Sequence, residues 1–169
     1  MDVKDYILME IEGLDHGLKR VLDGLKQEEI AWRPASGCNS IGLILFHLFK
    51  SEDSFIQVHL KGKKELWETG KWYKQLNLEP DEAGAHYTVE QVDNFPVPAL
   101  EDILRYGDAV RAATIDYVKN VTPSELEKVL KMPWGDMPVA MLLALTAGHA
   151  SQHIGEISYL RGLQRGLDK

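Results

Sequence analysis

Apolar residues recur at three- and four-residue steps along four long stretches of the chain, and each stretch predicts an amphipathic helix. The first covers 3–27, carried by Tyr6, Ile7, Met9, Ile11, Leu14, Leu18, Val21, Leu22 and Leu25. Gly13, Gly17 and Gly24 lower its propensity without changing its period. The second covers 40–59, with Asn39 or Ser40 placed to cap it. The third covers 99–120, and Pro98 suits its start. The fourth opens at Pro138 and runs to about Gly162.

Between the first two, EEIAWRPASGCNS is a break at Pro34 and Gly37, with Trp32 as a bulky anchor. Cys38 reads as a small buried residue of that turn. The 61–98 segment loses the period, is punctuated by glycine and proline, and carries Trp67, Trp72, Tyr73, Tyr87 and Phe95. One short helix is expected there, over 65–73. A connection this long and aromatic folds over the bundle, as a roof on a pocket or as a cover for the core. Thr122, Pro123 and Glu125 spell a capped short helix, and KMPWGDMP a turn or short extended piece. The expected architecture is all-α: a four-helix bundle with a long helix 2–helix 3 crossover, in a single domain over 1–169.

Hydrophobic residues make up 44% of the 169, enough for a full core. The formal net charge of −7 excludes a nucleic-acid surface, which needs a basic patch. The lone cysteine forms no intrachain disulfide, and the acidic first fifteen residues do not read as a signal peptide. Polar residues interrupt the apolar run after Met137, so no membrane span is expected. Together these point to a cytoplasmic protein without nucleic-acid or membrane partners.

Histidine carries the candidate chemistry. His149 and His153 stand one turn apart on the side of helix 4 that also holds Leu142, Leu145 and Leu160. Such a pair can reach one metal ion, and also suits two histidines hydrogen-bonded in a core. Ala150 stands where zinc proteases carry a glutamate, so that chemistry is not indicated. On helix 2, His47 shares a stripe with Ser40, Leu43, Ser51 and Ser54, small enough on its polar side to leave room for a ligand. His16 and His59 read as packing or surface residues, and His86 as a weaker ligand candidate. Glu156, three residues beyond His153, is the candidate catalytic residue, as proton acceptor or as partner to a histidine.

The stretches AWRPASGCNSIGLILFHLFKSED and TAGHASQHIGEISYLRG resemble the DinB-like (YfiT-like) superfamily of helical-bundle metalloenzymes. The resemblance implies a divalent metal, nickel or zinc, held by His47, His149 and His153, often in a homodimer. It also implies thiol chemistry on a small-molecule substrate, as in relatives that are S-transferases or a maleylpyruvate isomerase using a low-molecular-weight thiol cosubstrate. Glu156 stands where relatives often carry glutamine. Arg33 and Arg161 are candidate cations for a thiol's carboxylates, and Trp67, Trp72 and Tyr73 offer apolar surface for its electrophile. A metal-dependent hydrolase and a non-catalytic metal- or ligand-binding stress protein are the competing readings.

Overall fold

Ser40 starts the central helix: its hydroxyl accepts a hydrogen bond from the Leu43 N–H at 3.2 Å, satisfying an amide the helix leaves open. The computed structural model describes residues 3–166, so the outermost residues of the expected 1–169 unit lie outside it. Helix α1 covers Val3–Leu22 and α2 covers Gln27–Ala31. Helix α3 covers Ile41–Asp53 and continues without a break as a π-helical turn, Ser54–Leu60. The connection holds α4 (Leu66–Thr69), α5 (Trp72–Leu76) and α6 (Val89–Asn94). Then come α7 (Leu100–Asn120), α8 (Pro123–Leu126), the paired strands β1 (Val129–Leu130) and β2 (Met137–Pro138), and α9 (Val139–Arg165).

The described residues are all-α apart from that small antiparallel hairpin. Among the long helices, α1 packs on α9 and α7, and α3 packs on α7 and α9. The shared core includes Ile41, Leu45, Phe46, Ile103, Tyr106 and Ile157, all fully buried. No helix of the described residues is long and apolar enough to cross a membrane.

Some boundaries differ from the periodic reading. The first helix ends at Leu22, because Gly24 takes a left-handed φ of 68° and turns the chain. Leu25 keeps the apolar rhythm by packing on the core from outside the helix. Trp32 is 37% exposed, and the fully buried Ile30 is the anchor instead. The short helix expected over 65–73 is two, separated by Gly70 and a left-handed Lys71. The last helix runs past Gly162 to Arg165, whose guanidinium grips the Glu29 carboxylate through two bonds of 2.5 Å. The Thr122 cap is as expected, with Glu125 closing the capping box.

Asp53 ties the connection to the bundle. Fully buried at the end of α3, its carboxylate accepts from Leu66 N at 3.0 Å, Trp67 N at 2.9 Å and Tyr106 Oη at 2.8 Å. Burial pushes the Asp53 carboxyl above its ordinary value, and the three donors oppose that. Trp67 then fills the core between Phe46 and Tyr106, at ring distances of 5.3 and 5.6 Å.

Candidate metal centre

His47 comes from the middle of α3, and His149 and His153 from successive turns of α9, which packs against it. All three are partly buried, and their ring nitrogens lie within 4.8 Å of one another. His149 Nε2 is 3.1 Å from His47 Nε2 and 3.0 Å from His153 Nε2.

The opposite ring nitrogens settle which tautomers meet there. His47 Nδ1 is 2.7 Å from the Gly84 carbonyl, which only accepts, so Nδ1 carries the proton and Nε2 presents a lone pair. His153 Nδ1 is 2.7 Å from Glu156 Oε2, and in the neutral ring the consequence is the same. Two lone pairs therefore face His149 Nε2, which has at most one proton to give. A cation among the three nitrogens removes that conflict. Burial, with the neighbouring His153 and His47, pushes His149 down to about 4, and burial also lowers His47, so both rings favour the neutral form in which a nitrogen lone pair is free. The 3.0 and 3.1 Å spacings to His149 fit as well. Ligands about 2.0–2.1 Å from a zinc-like ion stand about 2.9 Å apart at right angles and about 3.3 Å apart in a tetrahedron.

Gly84 is needed for this arrangement. Its φ is 75°, and a Cβ there would lie 2.6 Å from Lys50 Cγ, so only glycine brings the carbonyl over His47 without displacing Lys50.

Two cavities flank the triad. One, of about 400 Å³, is lined by Asn39, His47, Tyr87, His153 and Glu156 among others. The other, of about 440 Å³, is lined by His47, Ser51, Ser54, His59, Trp134 and His149 among others. His86, exposed and left-handed at φ 58°, borders both. The crossover thus does roof the site, through its 84–86 segment.

Of the connection's aromatic residues Tyr87 borders one cavity, whereas the three expected to receive an electrophile are elsewhere. Trp67 is 1% exposed, and Trp72 and Tyr73 pack against the core with it, so none of the three lines either cavity. Ser40 leaves the polar stripe to cap α3, while Ser51 and Ser54 keep to it. Arg33 donates to the Phe95 carbonyl, and Arg161 to the carbonyls of Val21 and Asp23. Neither borders the two cavities. Cys38 lines a separate depression next to Glu156.

His59 and Trp134 are site residues that periodicity missed. At 100° per residue, His59 stands roughly 120° round α3 from His47 and so reads as surface. The π turn bonds i to i+5 and advances fewer degrees per residue, which brings His59 back to the cavity side. The break in hydrogen-bond register leaves no mark in the apolar rhythm. Trp134 arrives from the hairpin, far along the chain, and only tertiary packing places it.

The sequence profile of the DinB superfamily matches residues 11–157. Among solved structures, a conserved protein from Enterococcus faecalis superposes with a TM-score of 0.85 at 21% identity, covering 96% of this chain and 97% of that one. A DinB-like protein from Bacillus cereus superposes with a TM-score of 0.63 at 20% identity, covering 95% and 91%. At such identities the likeness is one of fold. No curated protein matches the sequence.

Proposed function

The chain belongs to the DinB superfamily, and from that premise we propose that it is a divalent-metal-dependent enzyme acting on a small molecule, with a thiol as cosubstrate. His47, His149 and His153 hold the metal, nickel or zinc, through Nε2. The observation that carries the reading is the meeting of three Nε2 atoms while the Nδ1 protons of His47 and His153 are engaged elsewhere. When bound, the ion supplies Lewis acidity, drawing the pKa of a thiol or a water toward neutrality.

The protein's own groups do the rest. The Gly84 carbonyl and the Glu156 carboxylate fix two rings and make them more basic ligands. Glu156 is thereby a positioning residue for His153, and it also borders the cavity of about 400 Å³, where it can take a proton from an incoming ligand. The ligand set lies within one chain, so the expected homodimer is no requirement of the site.

Metal analysis tests the reading. His47→Ala and His149→Ala each lose most bound divalent metal after chelation and reloading, with unchanged helical circular dichroism. Wild-type metal content in both variants refutes it. Cobalt-loaded protein then separates the chemistries. A low-molecular-weight thiol near pH 7 produces an intense near-ultraviolet charge-transfer band that His153→Ala abolishes. Turnover of an ester or amide with no thiol effect on the spectrum replaces the transferase reading with the hydrolase one.

A further inference from the structure

The cavity beside His47 and His149 has an aromatic wall built by two segments that supply no candidate ligand. The π turn contributes Phe55 and His59, and the β1–β2 hairpin contributes Trp134. The Trp134 ring lies 5.6 Å from His59 and 6.4 Å from Phe55, both edge to face, and Phe55 lies 6.1 Å from His149. The wall therefore reaches from the cavity mouth to one of the metal-facing imidazoles. The hairpin is anchored, since Met132 and Met137 are buried in a cluster with Leu142, against which Phe55 packs. Trp134 is 54% exposed, so the indole is held in place with about half its surface uncovered. Leu145, 37% exposed, adds apolar lining from α9.

Charge distinguishes what such a slot accepts. The ammonium bordering it is that of Lys50, which is already paired with Glu65, both largely buried. An anionic body finds no unpaired lysine or arginine among the lining residues. A flat ring finds three ring systems already set at the 4.5–7 Å spacing that aromatic groups adopt. Ser51, Ser54 and His59 offer hydrogen bonds along the same wall. About 440 Å³ is the size of a small-molecule pocket.

We propose that this slot receives an aryl group, the flat apolar body of a ligand whose polar head reaches the metal. The inference rests on the metal centre proposed above. It makes Trp134 a specificity-determining residue and the π turn the element that completes its pocket.

Three hydroxamic acids with the same chelating head test it on the cobalt-loaded full-length protein, followed by the visible cobalt spectrum. Benzohydroxamic acid binds about tenfold more tightly than acetohydroxamic acid. Cyclohexanecarbohydroxamic acid, as bulky but not flat, binds more weakly than the benzo compound. Trp134→Ala, a change at an exposed position, closes most of the benzo–aceto gap and leaves acetohydroxamate affinity unchanged. Equal affinity for the benzo and aceto compounds overturns the slot, as does failure of both to bind, or a gap that survives Trp134→Ala. A cyclohexyl compound that matches the benzo one overturns the preference for a flat ring. A protein that takes up no cobalt overturns the metal centre first, and this inference with it.

Discussion

Replacing Asp53 by alanine removes one carboxylate and strands three donors at once: Leu66 N, Trp67 N and Tyr106 Oη. Trp67 and Tyr106 are at most 1% exposed, so water does not replace the lost acceptor freely. Each buried donor left unsatisfied costs about 1–3 kcal/mol. Against that sum stands the relief of no longer burying a charge, which is substantial because burial, with the neighbouring Glu65, outweighs the three donors in setting the Asp53 carboxyl. The expected net loss is about 3–5 kcal/mol, in line with breaking a buried charged network. Asp53→Asn keeps one oxygen. Turned toward Trp67 N and Tyr106 Oη, it sets its amide NH₂ against the Leu66 N–H, and one bond is lost, costing about 1–2 kcal/mol. Tyr106→Phe removes a single donor and costs about 1 kcal/mol. Urea unfolding followed by circular dichroism measures all three, provided the denaturant slope is unchanged. An Asp53→Ala loss below about 1 kcal/mol would refute the reasoning and mean that the packing of Trp67 and the connection's other contacts hold it in place.

Two glycines in long helices should respond oppositely to alanine. At Gly13 of α1 a Cβ meets nothing within 4 Å, so Gly13→Ala raises stability by about 0.5–1 kcal/mol through helix propensity. At Gly107 of α7 a Cβ lies 2.4 Å from the Phe49 ring, and overpacking of about 1–3 kcal/mol outweighs that gain; thermal unfolding of both variants checks the signs. Glu29 gives a pH signature. Its bonds to Arg165 and to the Lys26 amide hold its carboxyl at about 2, below the ordinary 4.5. The folded state thus favours the ionised form, and the stabilisation is complete above about 4.5 and lost as pH falls toward 2. The stability gap between wild type and Arg165→Gln should be flat above pH 5 and close below 4; a gap unchanged down to pH 3 contradicts this.

Much of the candidate site was readable because its histidines sit on regular helices. The i, i+4 spacing of His149 and His153 and the polar stripe around His47 depend only on the α-helical repeat. Packing of α3 on α9 then brings the two helices' histidines together. The aromatic residues of 61–98 were harder to place, because composition does not say which side of a roof faces inward. Trp67 turned to the core once Asp53 had fixed the start of α4. The Gly84 carbonyl was unreadable for another reason: a backbone group has no residue identity, and its reach depends on a left-handed glycine. Arg33 and Arg161 were reasonable cations by charge, but backbone carbonyls engage both.

The π turn has a consequence for how this pocket can change over generations. A π turn accommodates one residue more than the α-helical path across the same span, and it lies wholly downstream of His47. A single-residue deletion between Ser54 and Val58 would restore α register and set His59 eleven residues from His47, about 20° round an α-helix and so still on the cavity side. Lineages could therefore lose or regain the extra residue while His47 and His59 keep their faces. Chain length is free to drift at this point, whereas a change in the pocket wall needs a point substitution.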